Sequence, residues 1–403
     1  MMKQRYYSLD VFRGATVALM ILVNNPGTWD HVFSPLLHAH WHGCTPTDLV
    51  FPFFLFAVGN AMAFVIPKMK EAGDGLFWKK VVKRTILIFG IGIFLNWWPF
   101  FYWDDKGLQF STWTGTDAID GVRILGVLQR IALAYFFASI CAYFLKPRSV
   151  IYVSAILLFT YWGLCIAFGD GDPYSLEGWF GNQVDKYILG TAHMYHGEGL
   201  AFEPEGLMST IPSIVQVLFG YLVGLFIMER GRVTWLWRKV PLSSETNFRL
   251  ISALMVTGFI VLVLGWIWSL GFPINKKIWT SSYVLYTTGL AVLTLGVAIW
   301  FVEVQEMRNR MTRFFEIFGK NPLFIYIMSS IVPGTLELIR IRQVSSGGTL
   351  EENSNVLEFF YNTVCAQIPG PPELGSLLYS ICFLGLMWGL GYLLDRKKIY
   401  IKV

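Results

Sequence analysis

Charge is scarce in this chain. Only 15% of its 403 residues are Asp, Glu, Lys or Arg, against about 25% in a soluble domain. With 54% hydrophobic residues and a mean hydropathy of +0.50, the deficit excludes an ordinary soluble globule and points to a polytopic membrane protein. The net charge of +5 needs no nucleic-acid partner, because loop Lys and Arg set topology in such proteins. Cysteine is also sparse. Cys44, Cys141, Cys165, Cys365 and Cys382 are odd in number and widely spaced, which makes neither a disulfide framework nor a CxxC metal site. Cys44 and Cys365 fall on the same expected side, which leaves one bridge open. No small-x-small cleavage site follows the N-terminal apolar run, and Asp10 and Arg13 interrupt its start. It reads as a retained first span rather than a signal peptide. There is no repeat of fixed period, no low-complexity tract and no visible pair of inverted, broken helices.

What is present is a series of long apolar runs. A span needs about 20 mostly apolar residues. Ten segments qualify, at 9–25, 48–66, 82–100, 125–145, 150–168, 210–228, 250–270, 282–302, 315–332 and 374–394. The expected fold is all-α: a single transmembrane domain over residues 1–403, a bundle of about ten helices. Lys and Arg gather at both termini and in alternate loops, as in Lys79-Lys80-Val81-Val82-Lys83-Arg84 and Arg308/Arg310/Arg313. Both termini are therefore expected in the cytoplasm. The opposite loops are long, aromatic and rich in Gly and Pro, and hold all six histidines.

Four of those histidines, His31, His38, His40 and His42, lie within twelve residues between the first two spans. Imidazole titrates near neutral pH and suits proton transfer at a membrane surface. His38 is a candidate base or nucleophile, Asn24 a positioning amide and Asp48 a tuning carboxylate. The alternative for Asp48 is capping, since Thr45-Pro46-Thr47-Asp48 has the form of a helix start. The alternation His38-x-His40-x-His42 puts three imidazoles on one face of an extended segment, yet few further ligands lie near, and no metal is expected.

Other polar residues sit where an apolar bundle should have none. Asp10 and Arg13, spaced i, i+3, either pair at the cytoplasmic mouth or leave Arg13 for an anion such as a phosphate. Arg123 and Gln129-Arg130 lie at and inside the fourth span, where an ionisable residue marks function or pairs with a carboxylate such as Asp48 or Glu205. Glu203 and Glu205, with His193 upstream, stand at an outer helix mouth and suit a cationic amine, or simply favour a helix start. Lys276-Lys277 occupy an aromatic outer loop with Trp279. Asn321 either interrupts the ninth span for a ligand or caps it.

Several strings occur together and in order: Ser8-Leu9-Asp10-Val11-Phe12-Arg13-Gly14, Val23-Asn24, His38-Ala39-x-Trp41-x-Gly43, Asp48-Leu49-Val50-Phe51-Pro52 and Gly126-Val127-Leu128-Gln129-Arg130. His193-Met194-Tyr195, Pro204-Glu205-Gly206, Asn275-Lys276-Lys277-x-Trp279 and Arg396-Lys397-Lys398-Ile399 follow. In these the chain resembles the transmembrane heparan-α-glucosaminide N-acetyltransferases and their bacterial relatives. The lysosomal members carry in addition a leading span and a luminal domain, and neither is expected in this chain. The resemblance implies transfer of acetyl from cytoplasmic acetyl-CoA to the amine of a terminal glucosamine across the membrane. The implied setting is a bacterial inner membrane, with a heparan-type or other amino-sugar acceptor, the lipid bilayer as partner, and a homodimer.

It implies His38 and Asn24 as catalytic residues. Asp48, Glu203, Glu205, His193, Arg130, Lys276 and Trp279 are expected around the acceptor. Arg13, Gln129, Asn321 and the C-terminal lysines, Lys402 among them, are expected on the coenzyme side. Whether His38 is itself acetylated or only takes a proton stays open. The alternatives are an amino-sugar transporter or permease component, and O-acetylation of an envelope glycan.

Overall fold

Apolar runs in lipid must satisfy every backbone N–H and C=O internally, and the helix does so within one segment. A computed structural model describes residues 6–115, 120–229, 246–344 and 350–401, and about 70% of the chain is helical. In chain order come α1 (Tyr7–Asn24), α2 (Val50–Ala72), α3 (Asp74–Trp97), β1 (Phe101–Asp104), β2 (Gly107–Phe110), α4 (Val127–Phe144), α5 (Pro147–Phe168) and α6 (Phe180–Leu189). Then follow α7 (Leu207–Met228), α8 (Thr246–Trp268), α9 (Ser281–Ile299), α10 (Arg310–Lys320), α11 (Pro322–Leu338), β3 (Arg340–Val344), β4 (Leu350–Asn355), α12 (Val356–Phe360) and α13 (Glu373–Arg396).

Eight of these helices, α1, α2, α4, α5, α7, α8, α9 and α13, are long and apolar enough to cross a membrane, and the chain is a multi-pass membrane protein. The other two expected spans differ. The third, α3, is long enough, but its first half carries Lys79, Lys80, Lys83 and Arg84. The ninth is broken into α10 and α11 at Asn321-Pro322, because proline lacks the N–H that would continue the helix. The bundle is helical as expected, and two short antiparallel hairpins, β1–β2 and β3–β4, lie outside it.

The helices divide by burial. In α7, 72% of the apolar window is buried, against 28% in α5, α8 and α13. So α7 is central, and the other three turn Ile156, Phe159, Phe259, Leu264 and Ile381 outward. Small residues let the backbones approach where apolar burial gives no drive. α2 and α7 meet at Gly59 and Gly220, where an added Cβ would lie 2.0 Å from Val217 O and 2.1 Å from Phe56 O. α1 and α10 meet likewise at Gly14 and Gly319.

Candidate functional site

The histidine loop is short of regular structure, so its shape depends on tethers. The Trp41 indole donates to Tyr174 O at 2.8 Å, Gly43 N to Ile274 O at 2.8 Å, and Thr45 Oγ1 to Leu37 O at 2.7 Å. Tyr283 on α9 donates its hydroxyl to Asp48 O at 2.6 Å. These bonds bring the loops around residues 40, 174 and 275 to one end of the bundle.

Asp48, 1% exposed, divides its two oxygens. Oδ2 accepts from Thr45 N, Thr45 Oγ1 and Ala39 N at 3.0, 3.1 and 3.0 Å. Oδ1 lies 2.7 Å from His38 Nδ1. Capping and tuning, which the sequence offers as alternatives, are both made by one carboxylate. An ionised carboxylate only accepts, so Nδ1 carries a proton toward Asp48, and in the neutral ring the lone pair is on Nε2. Lys276 closes the group. Its Nζ is 3.0 Å from His38 Nδ1, 3.3 Å from Nε2 and 3.6 Å from Asp48 Oδ1. Burial draws the Lys276 amine below its usual range, against the opposing charges of Asp48 and Glu205. Cys44 nearby is no rival nucleophile: burial, with Asp48 adding to it, pushes its thiol up to about 12. All five cysteines are free.

These side chains line a cavity of about 280 Å³. Asn24, His38, Asp48, Glu205 and Lys276 are on its wall, as are Trp41, Arg123, Tyr195, Glu198 and Lys277. Lys277 is held by Glu198 at 2.5 Å. Below it lies a second cavity of about 100 Å³ walled by Arg13, Arg84, Tyr135 and Pro322. Phe54, Leu128, Ile131 and Leu323 belong to both walls. The two cavities are therefore stacked, with an apolar ring between them.

Glu203, Arg130, Trp279 and His193 stand behind the wall rather than on it. Arg123 bridges Glu203 and Glu205, and those carboxylates outweigh burial to hold its guanidinium charged. Burial pushes the Glu203 carboxyl up, while Arg123 leads the charges that hold Glu205 down against its own burial. Arg130, fully buried, donates to Pro204 O at 2.6 Å and to Ser209 Oγ, and packs 5.0 Å over the Trp279 ring. Trp279 has φ 51°, rare for a bulky residue, and is wedged against Phe51 and Tyr283. His193 donates from Nδ1 to Val122 O at 2.7 Å. His31, His40 and His42 are exposed and off the wall.

At the other end, Arg13 reaches Asp10 at 2.8 Å and Gly319 O at 2.9 Å. Asn321 is buried and clamps the C-terminal tail, donating to Ile399 O at 3.0 Å and accepting from Ile401 N at 2.8 Å. Gln129 is buried at the start of α4 against Gly92, away from both cavities. Lys402 lies outside the described residues. Arg84 is a residue the sequence hides. It sits in a basic run that topology already explains, yet its guanidinium lies 4.7 Å over Tyr135, and its Nε is buried with no hydrogen-bond partner among the described residues.

No family model matches the chain. Heparan-alpha-glucosaminide N-acetyltransferase of Homo sapiens is 26% identical over 373 residues, and that of Mus musculus 26% over 375. The chain is similar to these acetyltransferases over most of its length. Each match covers 80% of this chain, with 52% of the human protein and 53% of the mouse protein. The chain thus spans about half the length of the curated relatives it matches.

Proposed function

We propose that the stacked cavities are the active centre of a transmembrane N-acetyltransferase. It would move acetyl from cytoplasmic acetyl-CoA to the amine of a terminal glucosamine, of heparan type or another amino sugar, on the far side of a bacterial inner membrane. The observation that carries the reading is the His38–Asp48 pair in a cavity that meets, across one apolar ring, a second cavity walled by Arg13 and Arg84. Kinship with two proteins named for this activity supports it.

An amine attacks a thioester only when neutral. The bond from Nδ1 to Asp48 fixes the tautomer of the neutral ring, and His38 Nε2 takes the amine proton. The tetrahedral oxyanion needs donors, and the Asn24 amide and Lys276 ammonium line the same wall. The phosphates of the coenzyme find Arg13 and Arg84 at the opposite end, a match for guanidinium forks. Its arm then passes the ring of Phe54, Leu128, Ile131 and Leu323, which water has little reason to fill. Glu205 and Glu198 give the outer cavity a negative element for an incoming aminium.

The test is purified protein with labelled acetyl-CoA and glucosamine-terminated oligosaccharides, beside His38→Ala. The wild type should acetylate the amine, and the variant should be slower by about 10²–10⁴-fold. Full activity in His38→Ala removes that residue from the chemistry. No transfer to any amino sugar, together with sugar uptake into proteoliposomes, refutes the activity and favours transport.

A further inference from the structure

The amine closest to His38 belongs to the protein itself. Lys276 Nζ stands 3.3 Å from His38 Nε2 and 3.0 Å from Nδ1, and lines the same cavity. An acceptor amine must lie within hydrogen-bond reach of its base and in the path of the thioester carbonyl. Lys276 satisfies the first condition in the resting structure, and its place on the cavity wall offers the second. Its backbone is fixed: Gly43 N bonds Ile274 O at 2.8 Å, and Asn275 N bonds Thr280 Oγ1 at 3.1 Å. Only the four-carbon stem is left to move. The neighbouring Lys277 is different, because Glu198 holds it as an ion pair at 2.5 Å.

We propose that Lys276 is a self-acetylation site, taking the acetyl group when acetyl-CoA is bound and no acceptor sugar fills the cavity. The proposal rests on reading the cavity as an acetyl-transfer centre. Nζ, in its neutral form, attacks the thioester carbonyl carbon. The N–C bond forms, the C–S bond breaks, and coenzyme A leaves as the thiolate. The Nζ proton passes to His38 Nε2 and from there to the thiolate. Nothing is oxidised or reduced. The supporting electrostatics run the same way, since burial favours the neutral amine and Asp48 at 3.6 Å is the brake that keeps it protonated. The product is an amide, stable where a thioester or acyl-imidazole is not. It cannot pair with Asp48, and its added bulk lies in the space an acceptor needs. Acetylation of Lys276 would therefore switch the site off, and a bound acceptor would protect it.

The experiment uses the full chain in detergent or nanodiscs, incubated with acetyl-CoA with and without glucosamine-terminated oligosaccharide. Peptide mass spectrometry follows the Lys276 peptide, and sugar acetylation is assayed on the same samples. With donor alone, Lys276 should gain one acetyl group at least about 10²-fold faster than the exposed Lys79 and Lys80, the margin a positioned base supplies. Acceptor should suppress the gain, His38→Ala should abolish it, and transfer activity should fall in step with the modified fraction. Sugar acetylation in the samples with acceptor, together with an unmodified Lys276 in the samples with donor alone, overturns the proposal and leaves the function standing. Modification no faster than at Lys79, or unchanged in His38→Ala, also overturns it. Modification of Lys276 with no sugar acetylated supports it and removes only the acceptor assignment. Neither product overturns both readings.

Discussion

At the residue scale, one carboxylate holds the candidate site together. Asp48 uses Oδ2 to cap the turn at Thr45 and Oδ1 to hold His38. Asparagine offers one acceptor where two are needed, so Asp48→Asn must either lose the cap or turn an N–H toward the His38 Nδ1–H. We expect transfer to fall by about 10²–10⁴-fold. Asp48→Ala should in addition lose about 0.5–2 kcal/mol of stability through the missing cap, read by thermal unfolding in detergent.

A second carboxylate gives a pH signature. Burial raises Asp185 on α6 from 3.8 to about 7, with Glu203 adding to it and the Leu207 N–H and Arg130 opposing. Between those two values the folded state binds the proton that the unfolded state has lost, so stability falls as pH rises through that window. The melting temperature of the wild type should drop from pH 4 to 7 relative to Asp185→Asn, whose amide oxygen can still accept from Leu207 N. Equal slopes would contradict this.

His38, Asn24, Asp48 and Glu205 were legible because each stands at a loop or helix mouth in a chain poor in such groups. Their company was not. Lys276 lies 238 residues from His38, and no spacing rule links two loops that meet only after the bundle has formed. Arg123 could be read as pairing with a carboxylate, and it takes Glu203 as well as Glu205.

At the scale of elements, two local features set the packing. Gly59 and Gly220 let α2 and α7 cross backbone to backbone. A leucine at 220 would drive its Cβ into Phe56 O, and Gly220→Leu should cost about 1–3 kcal/mol or more, since the clash is with backbone rather than a yielding side chain. Unfolding temperature and monodispersity in detergent report it, and an unshifted melt would mean that the helices part without cost. The second feature is the break at Asn321-Pro322. Hydropathy alone runs through it, because Phe315, Ile317 and Phe318 at the end of the amphipathic α10 join the apolar α11 into one run. Only the proline signals the stop, and nothing local announces that Asn321 spends its amide on the tail at Ile399 and Ile401. The ends of α3 are blurred for a related reason: four cations in its first half lower its hydropathy without shortening the helix.

On the scale of the whole molecule, the two cavities share one wall, and the proposed activity depends on passage between them. Leu128 belongs to that wall. A tryptophan there should obstruct the passage while leaving both ends intact. Leu128→Trp is expected to retain binding of acetyl-CoA and of the acceptor sugar, each measured alone, and to lose transfer between them. Loss of donor binding would mean that the inner end does not hold the coenzyme by itself.

The same two ends are also joined covalently. α1 runs unbroken from Arg13 on the inner wall to Asn24 on the outer one, a rise of about 16 Å at 1.5 Å per residue. Pinned to α10 at Gly14 and Gly319, this helix acts as a ruler. On the proposed reading it sets the donor length: an acetyl thioester with a truncated arm would carry the same chemistry and still be too short to be used from the far side.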